Sequence, residues 1–190
     1  MIVMVKEPRP GRVKTRLGRD IGMVPAAWWF RRQVTRLLRR IEDPRWDVIL
    51  AVAPDREGLM SRVWPAQFAR LPQGAGDLGD RMGRLLRSLP PGPAVVIGAD
   101  VPGITRKRLA RAFHALGTHD AVFGPAPDGG YWLIGLKRTH PVPTTLFQGV
   151  RWSTEHALSD TKATLGNLTI AEIDKLQDID TIADLRLIAE

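Results

Sequence analysis

MIVMVKEPRPGRVKTRL, residues 1–17, runs an apolar stretch directly into five cations: Lys6, Arg9, Arg12, Lys14 and Arg16. Residues 1–5 read as a core strand, and Pro8, Pro10 and Gly11 form a loop that cannot continue it. Open α/β sheets place their ligands beyond the carboxyl ends of the strands. A cationic loop at that position suits phosphate, the more so because Lys14 and Arg16 fall near the start of the next segment, where backbone N–H groups are free. A basic, solvated loop is the plain alternative. Val13-Lys14-Thr15 looks like the end of a P-loop, but GxxxxGK[ST] requires glycine at positions 8 and 13, where Pro8 and Val13 stand. The dinucleotide fingerprint GxGxxG is missing as well, so the loop is neither of these two cradles.

Outward from this strand, apolar runs at 47–53, 66–71, 94–98, 120–124 and 131–136 alternate with helix-period segments. The helical segments fall at 23–41, 57–63, around Met82–Leu89, around Leu109–Leu116 with Thr105 as N-cap, at 154–165 and at 181–189. Such alternation predicts an α/β protein with a mainly parallel sheet flanked by helices, and 190 residues fit one domain spanning 1–190. The absence of cysteine excludes disulfides, thiolate metal sites and thiol nucleophiles. No apolar run is long enough for a membrane span, and the expected setting is the cytoplasm. The net charge of +8 raises nucleic acid, anionic lipid and phosphorylated small molecules as partners. Much of that charge, however, is arginine opposite an apolar helix stripe, as in RRQVTRLLRR at 31–40, which reads as a solvated face. Trp28 and Trp29 are expected in core or interface packing.

Three further stretches carry candidate chemistry. In VVIGADVPG, 95–103, a strand delivers Asp100 into a turn shaped by Pro102 and Gly103. There it can hold Mg2+ beside phosphate, or cap the strand exit as an Asx-turn. In DID, 178–180, two carboxylates two residues apart can share a face and a cation, or Asp180 can cap the helix that follows. QGAGDLGDRM, 73–82, and GPAPDGGYWLIG, 124–135, are glycine-rich. Gly74, Gly76 and Gly79 suggest close backbone approach to a ligand, while Asp77 and Asp80 can cap a helix. Gly129 and Gly130 permit a tight turn, where Asp128 and Tyr131 could hydrogen-bond a polar acceptor.

Taken in order, KEPRPGRVKTRLG, QGAGDLGDRM, VIGADVPG, GPAPDGGYWLIGL, the RWST of 151–154 and the late DIDT resemble the DUF2064 family, labelled glycosyltransferase-like and associated with radical-SAM and selenodomain genes. The resemblance covers nearly the whole chain. It implies the GT-A, or nucleotide-diphospho-sugar transferase, fold, a mainly parallel mixed sheet flanked by helices, and likeness to small nucleotidyltransferases such as the guanylyltransferases of molybdenum-cofactor and deazaflavin-cofactor assembly. It also implies a nucleotide contact from Lys6, Arg9, Gly11, Lys14 and Arg16 to a triphosphate, and from Gln73, Gly76 and Asp77 to the base. Asp100 would hold Mg2+ or Mn2+, joined by Asp178 and Asp180. Asp128, Gly129, Gly130 and Tyr131 would meet the acceptor. One departure stands out: the glycine-rich LAGGxSxRMG loop of the molybdenum-cofactor relatives is replaced by a proline-arginine version.

The expected chemistry is nucleotidyl transfer from a nucleoside triphosphate to a small phosphorylated or carboxylated acceptor, with Lys14 and Arg16 stabilising the leaving group and Asp100 positioning metal. The enzyme alternative is a glycosyltransferase using an NDP-sugar. A basic nucleic-acid-binding module ranks behind both, since no helix-turn-helix or metal-finger spacing supports it.

Overall fold

A computed structural model describes residues 1–187. Seven strands form one sheet: β1 (Ile2–Lys6), β2 (Ile49–Ala53), β3 (Ala69–Pro72), β4 (Ala94–Gly98), β5 (Ala121–Pro125), β6 (Tyr131–Leu136) and β7 (Ile170–Glu172), in the order β3-β2-β1-β4-β6-β5-β7. The helices are α1 (Thr15–Ile21), α2 (Met23–Ile41), α3 (Asp55–Met60), α4 (Leu78–Ser88), α5 (Arg106–Thr118), α6 (Ala157–Ala163) and α7 (Ile182–Leu187). Strands β1 to β4 pair in parallel, while β6 runs antiparallel to both β4 and β5.

Alternation along each strand divides the core between two faces. Val3 and Val5 face a cluster with Phe30, Val34 and Leu37 of α2 and Leu109 and Ala112 of α5. Ile2 faces the opposite cluster, with Met82, Leu85 and Leu86 of α4 and Phe147. This is the sheet flanked by helices expected from the sequence, with β6 as the element that makes it mixed.

Two elements were not anticipated, α1 and β7. The predicted N-cap at Thr105 is present, its hydroxyl accepting from Arg108 N–H. The expected helix over 181–189 is present as α7, and its later residues, including Ile188, lie outside the described residues. Trp29 packs against the core, but Trp28 is 59% exposed beneath the Arg31 guanidinium, so core packing was wrong for that ring. Among the described residues no helix is long and apolar enough to cross a membrane.

The antiparallel strand decides where loops go. Because β6 turns back from β5, the turn at residues 126–130 emerges on the edge where β1 and β4 end. After β7 the chain continues in the direction of β5, held by Ile173 N–H to Phe123 O (2.9 Å), Leu176 N–H to Pro125 O (3.0 Å) and Trp132 Nε1–H to Asp174 O (2.9 Å). This run carries Asp178 and Asp180 to the same edge.

Candidate functional site

Lys14 stands at the N-cap of α1 in left-handed backbone, φ 46° and ψ 47°, which non-glycine residues seldom adopt. Its side chain is 5% exposed, and its ammonium donates to Asp180 Oδ1 at 2.8 Å. Asp100 Oδ2 lies 2.6 Å from the same nitrogen and Asp178 Oδ2 at 3.8 Å. The three carboxylates offer oxygens that all lie within 4.8 Å of one another. Arg16 Nη1 reaches Asp180 Oδ2 from outside at 3.2 Å. Asp180 is free for this role because α7 is capped by its neighbours: the Asp184 carboxylate accepts from Thr181 N–H (2.8 Å), and Thr181 Oγ1 accepts from Asp184 N–H (3.3 Å). The proposed capping by Asp180 is thereby corrected.

The electrostatics follow from this crowding. Burial disfavours the Lys14 ammonium, but Asp100 and Asp180 outweigh it and hold the pKa above its usual value. Asp178 goes the other way for a carboxyl: burial first, then the charges of Asp100, Asp180 and Asp128 against the pull of Lys14, push it up to about 6. An all-oxygen set of three carboxylates is the donor chemistry of Mg2+ or Mn2+, and the embedded ammonium shows that the site favours a cation. The residues therefore fit a divalent ion.

Around the triad runs a cleft. On one side Lys6, Arg12, Lys14, Thr15, Arg16 and Asp100 border a cavity of about 320 Å³. Lys6 and Arg12 also border a neighbouring space of about 540 Å³ with Arg9, Arg56, Glu57 and Arg81. Beneath, Gln73, Gly76, Asp77, Arg81 and Tyr131 line about 460 Å³ against Asp100. On the far side a 220 Å³ pocket is walled by Tyr131, Trp132 and Trp152, with Ser153 and Thr154 and the carboxylates of Asp100, Asp128 and Asp178. The cleft is segregated: cations line one arm, aromatic rings, hydroxyls and carboxylates the other.

A family model described as "Uncharacterized protein conserved in bacteria (DUF2064)" matches residues 37–154. The chain belongs to the DUF2064 family. A structure from Desulfovibrio desulfuricans G20, provisionally assigned as a nucleotide-diphospho-sugar transferase, matches with 28% identity and TM-score 0.84, over 98% of this chain and 84% of that one. The 4-diphosphocytidyl-2C-methyl-D-erythritol synthase of Anaerococcus prevotii DSM 20548 matches at 9% identity and TM-score 0.62, over 100% and 96%. The manganese complex of Rv0371c from Mycobacterium tuberculosis H37Rv matches at 15% identity and TM-score 0.57, over 98% and 96%. The last two likenesses show the fold alone. The DUF2064 chain thus has the nucleotide-diphospho-sugar transferase fold, and the first of these neighbours is a transferase by name. A search of curated proteins gives no match.

Within the DUF2064 fold, the other expected site residues have local structural duties. Gln73, 3% exposed, gives both amide hydrogens to the backbone, at Val5 O (3.1 Å) and Ala51 O (2.8 Å). Its carbonyl oxygen accepts weakly from Arg81 Nη1 at 3.4 Å. Asp77 is the N-cap of α4 in a reciprocal capping box with Asp80, beside Gly76 at φ 99°. Gly11 also needs positive φ (74°). Arg9 pairs loosely with Glu57 at 3.9 Å. Asp128 accepts from Gly130 N–H at 3.0 Å through Oδ1. Gly129 takes φ 82° with the Glu155 backbone pressed against it.

Tyr131 was expected to hydrogen-bond an acceptor, yet its hydroxyl pairs with Thr161 Oγ1 at 3.3 Å in the core and burial pushes its phenol well above the usual value. It offers the pocket its ring. A phosphorylated or carboxylated acceptor was expected beside Asp128, but among the described residues no lysine, arginine or histidine lines that pocket and three aspartates do. Arg12 and Arg81 were not singled out as ligand contacts, though both line two arms of the cleft. Arg81 was findable: it falls four residues after the Asp77 cap, on the same helix face.

Proposed function

We propose that this protein is a metal-dependent transferase acting on a nucleotide, transferring a nucleotidyl group from a nucleoside triphosphate to a hydroxyl of a small, uncharged acceptor. The observation that carries this reading is the cationic cavity opening directly on the Lys14–Asp100–Asp180 cluster. Asp100, Asp178 and Asp180 would hold Mg2+ or Mn2+, which when bound supplies charge neutralisation to phosphate oxygens. Lys6, Arg12 and Arg16 bind the triphosphate, and Lys14 stabilises charge on the departing pyrophosphate. An acceptor oxygen attacks the α-phosphorus, the O–P bond forms, and the bond to the β-phosphate oxygen breaks. The free Oδ2 of Asp128 takes the hydroxyl proton and releases it to water. Tyr131, Trp132 and Trp152 exclude water and orient the acceptor. A cytoplasmic setting, where nucleoside triphosphates are abundant, accords with this reading.

Glycosyl transfer from an NDP-sugar is the second reading, favoured by the provisional name of the 28% identical structure. Here the acceptor oxygen bonds to the anomeric carbon and NDP departs. Incubation with Mn2+, a polyol mixture and either nucleoside triphosphates or NDP-sugars separates the two. Pyrophosphate release supports the first, NDP release the second, and neither product from folded protein overturns both.

A further inference from the structure

Lys14 has two claims on it, and they conflict. Its ammonium is committed to Asp100 and Asp180 at 2.6 and 2.8 Å, two of the three carboxylates that a divalent ion would need. Two cations sharing those carboxylates a few ångströms apart repel each other. The lysine is also no loose surface group: 5% of its side chain is exposed, and left-handed backbone at the head of α1 aims it inward.

We propose that Lys14 is an internal counter-ion that blocks the metal site until a phosphate chain draws it away, a form of regulation that rests on the metal reading given above. Without nucleotide, Lys14 neutralises the carboxylates and excludes the divalent ion. The cavity that holds Lys14 is the one bordered by Lys6, Arg12 and Arg16, so an anionic phosphate chain enters where the ammonium can turn toward it. Moving Lys14 onto phosphate frees the carboxylates for metal at the moment a substrate is present. Metal and triphosphate thus bind with positive cooperativity, and each raises the affinity for the other by the same factor. The device makes metal without substrate the disfavoured state.

The test uses Mn2+ alone, titrated against nucleotide-free protein with the free-ion spin-resonance signal as readout. Lys14→Gln is expected to bind Mn2+ at least ~10-fold more tightly than wild type, because the competing charge is gone. Lys14→Arg keeps that charge and is expected to bind no more tightly than wild type. A second readout, thermal unfolding, guards against misfolding: in EDTA the Lys14→Gln protein melts lower than wild type, and saturating Mn2+ raises its Tm by more than it raises the wild-type Tm. Equal or weaker Mn2+ binding by folded Lys14→Gln overturns the counter-ion role and leaves the metal site standing. Folded wild-type and Lys14→Gln proteins that both ignore millimolar Mn2+ overturn the metal reading and the counter-ion role together.

Discussion

Asp178 Oδ2 lies 3.8 Å from the Lys14 ammonium, farther out than the partners at 2.6 and 2.8 Å, and its pKa is pushed up, to about 6. Burial opposes its charge and the nearest cation is already engaged. A raised carboxyl pKa favours the protonated form in the folded state, so its contribution to stability is complete below the unfolded value of 3.8 and is lost as pH rises through about 6. Asp178→Asn, a permanently neutral mimic, should melt with wild type near pH 4 and above it at pH 7, both without metal. Mn2+ binding needs the ionised form, so the Mn2+-induced rise in Tm should grow as pH increases through about 6.

Asp100→Asn should reduce turnover roughly a hundredfold or more, comparable to removing one group that stabilises the transition state. Steady-state kinetics on protein with an unchanged circular dichroism spectrum checks it, and Mn2+ affinity should fall in parallel. Lys14→Gln should lose activity to a similar degree while gaining metal affinity.

Gln73→Leu removes the side-chain donors to Val5 O of β1 and Ala51 O of β2. Losing two buried side-chain hydrogen bonds should cost at least about 1 kcal/mol and lower Tm by roughly 2 °C or more. A variant that melts with wild type but loses nucleotide affinity would instead assign the side chain to the base.

Tyr131→Phe should leave turnover within about threefold and cost about 1 kcal/mol of stability, since the hydroxyl serves Thr161 and the ring is kept. A large fall in kcat at unchanged Tm would return the phenol to the acceptor chemistry.

Gly129→Ala places a methyl group against the Glu155 backbone at φ 82°. Left-handed strain and the backbone clash together should cost at least about 1 kcal/mol, read as a Tm lowered by about 2 °C or more, with acceptor KM raised more than nucleotide KM.

Much of this was legible from local pattern. Helix α2 was read at 23–41 because Phe30, Val34, Leu37, Leu38 and Ile41 hold a full apolar stripe over many turns, and the structure gives the same bounds. Helix α1 was not read, because in TRLGRDI only Leu17 and Gly18 are buried, too few to set a period. Strand β7 has three residues, none fully buried, and gains its identity from pairing with β5. Strand β6 was located at its true bounds, but its direction depends on long-range pairing that no local pattern encodes. The Gly124/Pro125 bulge shifts the register beside Tyr131, and which way the phenol points was beyond reading from alternation. At the site, loop position nominated Lys14 and Asp100, the two-residue spacing nominated Asp178 and Asp180, and the family resemblance joined them; the fold brings the three acids together around Lys14. What the sequence withheld was charge segregation along the cleft, since Asp128 and Arg81 acquire their neighbourhoods through folding.

The route of the segment after β7 has a temporal consequence. During synthesis the sheet strands through β6 and both apolar clusters can begin to assemble while the ribosome still holds the stretch that ends in Asp180. Until that stretch emerges and docks along β5, Asp100 and Lys14 face each other with two of the three acids missing. A nascent chain can therefore bring Asp100 and Lys14 together before the other two acids of the cluster arrive.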